Sequence, residues 1–199
     1  MPFPDERKPV AVVDYRPDWP AEFERLADRL RAVLGDDALA VDHVGSTSVP
    51  GLAAKDCVDV QVRITTVDQA RDVPRFAAIG FRCRPEPWNL SETSSGHTCA
   101  KLVFAPPAGS RACNVHLRPS GGPSARYALL FRDYLRADAG TRRAWGDFKR
   151  QLALSAPDLL DYGRIKAPAT DVLMAAAERW AADTGWSPEP PRPAPPGAR

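Results

Sequence analysis

Cysteine is sparse in this 199-residue chain and never closely paired: Cys57, Cys83, Cys99 and Cys113 form no Cys-x-x-Cys spacing. That argues against a structural zinc site of paired ligands, and the thiols read as free, buried small hydrophobes. No stretch approaches the ~18 apolar residues of a membrane span, and the opening MPFPDERKPV lacks the apolar centre of a signal peptide. A cytoplasmic protein with no membrane association is expected. Excess charge is also missing: 27 Lys and Arg stand against 25 Asp and Glu, a net charge of +2. The basic stripe of a nucleic-acid binder is therefore not indicated. There is no internal repeat and no Gly-x-x-x-x-Gly-Lys-Ser/Thr phosphate loop.

What is present centres on residues 40–64, AVDHVGSTSVPGLAAKDCVDVQVRI. A short apolar strand breaks at Gly45-Ser46-Thr47-Ser48, a Pro50-Gly51 turn and a small-residue connection follow, and a β-branched strand runs over 58–64. Glycine allows close approach of a ligand to the turn, and Ser46 and Thr47 lead into a short helix start that favours anions. Period two in the second strand places Cys57, Asp59, Gln61 and Arg63 on one face and Val58, Val60 and Val62 on the other. An Asp within a β-branched strand costs desolvation, so it needs a partner, a metal or a chemical role. Asp56, at an odd offset, points away from it.

Around this unit, strands are predicted over 10–15, 41–45, 97–105 and 111–118, with an extended piece over 81–84. On the strand over 111–118, Ala112, Asn114, His116 and Arg118 share a polar face. A helix capped by Asp18 ends at Gly35; another, capped by Asp68, runs to 79 and is kinked or split at Pro74. Residues 85–96 read as loop. Helices follow over about 124–184, one capped by Thr141 and the last introduced by Lys166-Ala167-Pro168. A single domain over 1–186 is long enough to bury a sizeable core. The tail 187–199, with six prolines in thirteen residues, is expected to be disordered. The fold class is α+β, a mixed β-sheet with covering helices and a C-terminal helical segment.

The run His43-Val44-Gly45-Ser46-Thr47-Ser48-Val49-Pro50-Gly51-Leu52, with Ala54-Lys55 ahead of Val58-Asp59-Val60, resembles the first block of the GrpB-like family. The fold of that family is nucleotidyltransferase-like. Asn114-Val115-His116-Leu117-Arg118 and Leu129-Leu130-Phe131-Arg132-Asp133-Tyr134-Leu135-Arg136 resemble its later blocks. The Asp59-x-Gln61 spelling looks most like the GrpB-like domain that follows the kinase in some actinobacterial dephospho-CoA kinases. With no phosphate loop in the chain, kinase activity is not carried over.

Nucleotidyl transfer is an in-line attack at phosphorus, for which a protein supplies position and positive charge. The resemblance implies a phosphate turn at Gly45, Ser46 and Thr47 and a catalytic set of Asp59, Gln61 and His116, with Asp59 as metal ligand. Lys55, Asn114, Arg118 and Arg132 are implied as phosphate or nucleotide contacts, and Lys166 is a further candidate cation. The superfamily holds two metal ions ~4 Å apart between carboxylates. This sequence departs from that pattern at Gln61 and at Asn114 or His116, so one weakly held magnesium ion is implied instead. Two readings stand side by side. One is transfer of a nucleotidyl or phosphoryl group to a small acceptor. The other is a non-catalytic module with an eroded metal site that binds a nucleotide, a CoA-like or other phosphorylated small molecule, or a partner protein.

Overall fold

The alternation Val58-Asp59-Val60-Gln61-Val62-Arg63-Ile64 forms the middle of the molecule in a computed structural model that describes residues 3–6, 9–94, 96–156 and 158–191. Seven strands, β1 (Ala40–Val44), β2 (Val58–Ile64), β3 (Arg82–Cys83), β4 (Ser91–Ser94), β5 (His97–Ala100), β6 (Leu102–Ala105) and β7 (Cys113–Pro119), make two sheets. The main sheet has the order β1-β2-β7-β6-β3, and β4 pairs with β5 in a separate hairpin. Among the described residues, only the β2–β7 pairing is parallel. Among the described residues, six α-helices accompany them: α1 (Trp19–Leu34), α2 (Gln69–Ala77), α3 (Pro87–Leu90), α4 (Pro123–Ala137), α5 (Ala139–Ser155) and α6 (Leu159–Thr184). The α+β class with a mixed sheet and a helical C-terminal part is as expected.

Period two divides the sheet into two unlike faces. Val58, Val60, Val62, Cys113, Val115 and Leu117 are buried with Trp19, Phe23 and Leu30 of α1 and Phe76 of α2. Phe76 stacks on Phe104 of β6 at 3.9 Å, which fastens α2 to the same core. The β2–β7 register sets Asp59 opposite Asn114, Gln61 opposite His116 and Arg63 opposite Arg118, so the polar residues of both strands share the other face. Over that face lie α4–α6, with a core of their own: Leu130, Tyr134, Leu135, Trp145, Leu173 and Met174 close around Val49 and Leu52.

Several local expectations are corrected. The strand over 10–15 reduces to one bridge between Val13 and Ala54. Asp18 makes no side-chain cap, because its carboxylate accepts from Arg16 instead. Pro74 does not split α2, which is capped by Asp68 as expected and ends only three residues later at Ala77. Residues 85–96 hold α3 and β4 rather than loop alone; their Ser, Thr and Asn content masks a hairpin in which Thr93 and Thr98 hydroxyls meet at 2.8 Å. The strand over 97–105 divides at Lys101 between the hairpin and the main sheet. Asp138, not Thr141, caps α5 by accepting from the Thr141 amide. The last helix begins at Leu159, capped by Asp158, which accepts from the Leu160 and Asp161 amides, and it runs through Pro168 without stopping. Proline removes one backbone donor, but burial of Leu173, Met174 and Ala177 holds the helix on either side of that gap. The tail expected from Ser187 lies outside the described residues from 192 onward. Among the described residues, no helix is long and apolar enough to cross a membrane.

Candidate functional site

Between the polar face of β2–β7 and the C-terminal helices lies a cavity of about 380 Å³. Gly45, Ser46 and Thr47 cross one side of it, directly over Asp59. Gly45 has φ 69°, and a Cβ there would stand 2.5 Å from Asp59 Oδ2, so glycine is required on both backbone and steric grounds. The Ser46–Ser48 segment is a single 3-10 turn rather than the start of a longer helix. Ser46 does not cap it. Its Oγ accepts a hydrogen bond from Lys149 Nζ at 2.8 Å. The Thr47 hydroxyl lies 3.0 Å from His43 Nε2, whose ring stacks on Phe23. Burial pushes His43 down to about 4, leaving a neutral ring that braces the turn from the core side.

Asp59 accepts from Asn114 Nδ2 at 3.0 Å, and His116 Nε2 stands 3.9 Å from the same oxygen, an electrostatic contact beyond hydrogen-bond length. Burial pushes the Asp59 carboxyl up, but His116, Asn114 and Lys55 outweigh it and hold it down at about 2. His116 is driven below its ordinary value by burial and by Arg118, against the pull of Asp59. At neutral pH the pair is therefore an ionised carboxylate beside a neutral imidazole.

The helices supply the opposite wall. Tyr127 and Phe131 sit one turn apart on α4, Lys149 comes from α5, and Tyr162, Lys166 and Thr170 recur every four residues along one face of α6. Lys149 is only 3% exposed. Its ammonium donates to Ser46 Oγ and the Ala53 carbonyl, and among the described residues it meets no carboxylate. Burial, then Lys166 and Lys55, push Lys149 down to about 7. Lys166 is lowered by burial and by Lys55. Lys55 lies 5.4 Å above the Tyr162 ring.

Of the residues expected from the sequence, Gly45, Ser46, Thr47, Lys55, Asp59, Asn114, His116 and Arg118 line this one cavity, and so does Lys166. Gln61 does not. It is fully buried behind the wall, where its Oε1 accepts from Arg118 Nη1 at 2.9 Å and its Nε2 faces Asp42 Oδ2 at 3.2 Å and the Ala125 carbonyl at 3.3 Å. Arg118, although on the cavity wall, is spent on Glu92, which accepts from Nε at 2.6 Å and Nη2 at 3.2 Å. Arg132 also stands apart from the cavity, bonded to Asp133 at 2.6 Å and to the His43 carbonyl at 3.3 Å. Asp56 is turned outward to Trp19, Arg16 and Arg111.

Lys149, Tyr127, Phe131, Tyr162 and Thr170 were not among the candidates read from the sequence. One signal was available: Lys149 falls on the apolar stripe of α5 between Trp145 and Leu152, where a charge requires a reason. For magnesium, the donor set does not fit a two-ion centre. Among the described residues, no three His, Cys, Asp or Glu side chains gather as metal ligands. The Gln61 carbonyl, on the same strand face as Asp59, is already occupied by the Arg118 guanidinium.

A family profile described as GrpB protein matches residues 9–176. The chain belongs to the GrpB family. The crystal structure of the conserved protein GrpB from Enterococcus faecalis matches at a TM-score of 0.70 with 28% identity, over 85% of this chain and 99% of that one. A UPF0157 protein of Halalkalibacterium halodurans is 37% identical over 147 residues, 72% of this chain and 69% of its own length. A dephospho-CoA kinase of Mycolicibacterium paratuberculosis is 34% identical over 200 residues, covering 92% of this chain and 49% of the kinase. The chain thus spans about half the length of that kinase.

Proposed function

We propose that this GrpB-family protein binds a phosphorylated small molecule, a nucleotide or a CoA-like ligand, in the cavity between β2–β7 and α4–α6. The observation that carries the reading is local charge imbalance. Lys55, Lys149 and Lys166 converge on a space whose lining holds one carboxylate, Asp59. A buried ammonium without a carboxylate is costly, and a bound phosphate removes that cost. The Ser46 and Thr47 turn adds short polar groups beside the lysines, while Tyr127, Phe131 and Tyr162 offer flat apolar surface for a base. The size lies within the usual range for ligand cavities, about 300–1,000 Å³.

Isothermal titration with ATP, GTP, CTP, UTP, CoA and inorganic pyrophosphate tests this. Micromolar binding of at least one is expected, weakened tenfold or more by Lys149→Met. Failure of every phosphate-bearing probe to bind overturns the reading.

A second reading, nucleotidyl or phosphoryl transfer to a small acceptor, draws on the family resemblance and on the Asp59–His116 pair. A neutral His116 can accept a proton from an acceptor hydroxyl, and the ionised Asp59 beside it stabilises the imidazolium that results. Pyrophosphate or phosphate release from a bound triphosphate, lost in His116→Gln with binding retained, distinguishes this reading from binding alone.

A further inference from the structure

Resting on that reading, we infer that the protein binds the phosphates of its ligand with lysine ammonium groups in place of a divalent ion. Two independent features of the site support this. The first is the fate of the position two residues after Asp59. A divalent ion held by Asp59 gains most from a further oxygen ligand on that strand face, and Gln61 is there, but its Oε1 accepts from Arg118 at 2.9 Å and its amide nitrogen faces Asp42 and the Ala125 carbonyl. Arg118 is in turn held by Glu92, and Lys101 donates to the same Glu92 at 3.0 Å. Moving Gln61 onto a metal would leave a buried guanidinium short of an acceptor, so the network resists it. The remaining carboxylate, Asp59, is already engaged by Asn114 and opposed by His116.

The second feature is the supply of positive charge. Lys55 comes from the segment before β2, Lys149 from α5 and Lys166 from α6, so three separate elements each deliver one ammonium to the same cavity. Lys149 is fixed by two acceptors, Ser46 Oγ and the Ala53 carbonyl, which leaves its third N–H free to meet an anion. Among the described residues, the Lys166 ammonium has no hydrogen-bond or ion-pair partner, its backbone carbonyl alone accepting from Thr170 Oγ1, and the Lys55 ammonium lies over the Tyr162 ring without a hydrogen bond of its own. A terminal phosphate carries about −2 at neutral pH, and it would itself favour the charged form of the lysines that surround it. A magnesium ion in the same space would sit among like charges with one carboxylate to hold it.

The experiment compares binding of one nucleoside triphosphate in EDTA and in excess magnesium, for wild type, Lys149→Met and Lys166→Met. Affinity in EDTA is expected to equal or exceed that in magnesium, because free metal competes for the phosphates. Each lysine variant should lose at least tenfold in EDTA and show a shallower dependence on salt. Lys166→Met, on a half-exposed helix face, keeps the test sound if Lys149→Met fails to fold. Binding that requires magnesium or manganese, or that survives both lysine substitutions, overturns the inference while leaving ligand binding intact. Absence of binding in either condition, with pyrophosphate and CoA also silent, overturns the function reading itself.

Discussion

Two sets of cations border the same cavity and have opposite fates. Arg118 is charge-compensated: Glu92 takes two of its five donors, Gln61 takes a third, and Lys101 shares the carboxylate. Burial raises the Glu92 carboxyl, but Arg118 and Lys101 prevail and hold it at about 2. Across the cavity, Lys55, Lys149 and Lys166 share the single carboxylate of Asp59. In a chain with 27 basic and 25 acidic residues overall, charge is compensated locally around Arg118 and left in local excess around the lysines, which is the imbalance the proposed ligand would offset. The difference is one of partners, not of residue type.

The largest expected effect breaks the uncompensated set. Lys149 has a folded value near 7, below its ordinary 10.5, so the unfolded state binds more protons between those values. The charged form therefore costs stability fully below pH 7, and the cost disappears as pH rises towards 10.5. Urea unfolding across that window should show wild type gaining on Lys149→Met, by on the order of 4 kcal/mol in total. Parallel stability curves for the two proteins would show that Lys149 is not an isolated buried cation.

Breaking the compensated set should act in the other direction and a little less strongly. Glu92→Gln strips Arg118 and Lys101 of their shared carboxylate and should cost about 3 kcal/mol at pH 7, the penalty for an orphaned buried charge. The wild-type advantage is present above the ordinary carboxylate value of 4.5 and is lost as pH falls through about 2. A variant within a few tenths of a kcal/mol of wild type would mean that water already compensates Arg118.

Ser46→Ala sharpens the comparison at smaller scale. Its hydroxyl accepts from Lys149 at 2.8 Å, and losing that acceptor should cost about 1 kcal/mol. In the Lys149→Met background the same substitution should cost almost nothing. An equal loss in both backgrounds would assign Ser46 to the turn alone.

Much of this site is legible in the amino-acid sequence. Asp59, Asn114 and His116 share a face because strand period is a local property of the backbone, and the Gly45 turn is marked by its own residues. The Glu92 hairpin is hidden there because Ser91, Thr93 and Ser94 carry no apolar alternation; cross-strand pairing with 97–100, not composition, makes that strand. Gln61 is misplaced by sequence reasoning for a related cause. Sharing a face with Asp59 says nothing about which helix covers each residue, and α4 seals Gln61 through the Ala125 carbonyl while leaving Asp59 open, 32% exposed.

The sequence by itself determined the alternating strand, the glycine turn, the apolar helix stripes and the absence of overall charge excess, since each follows from residue type and short-range spacing. Tertiary structure decided which charges cancel. Lys149 reaches Ser46 across 103 residues of chain, and Arg118 reaches Gln61 across 57. Burial and charge pairing depend on what the folded chain brings within a few ångströms, so no local pattern records that Arg118 is satisfied and the lysines are not.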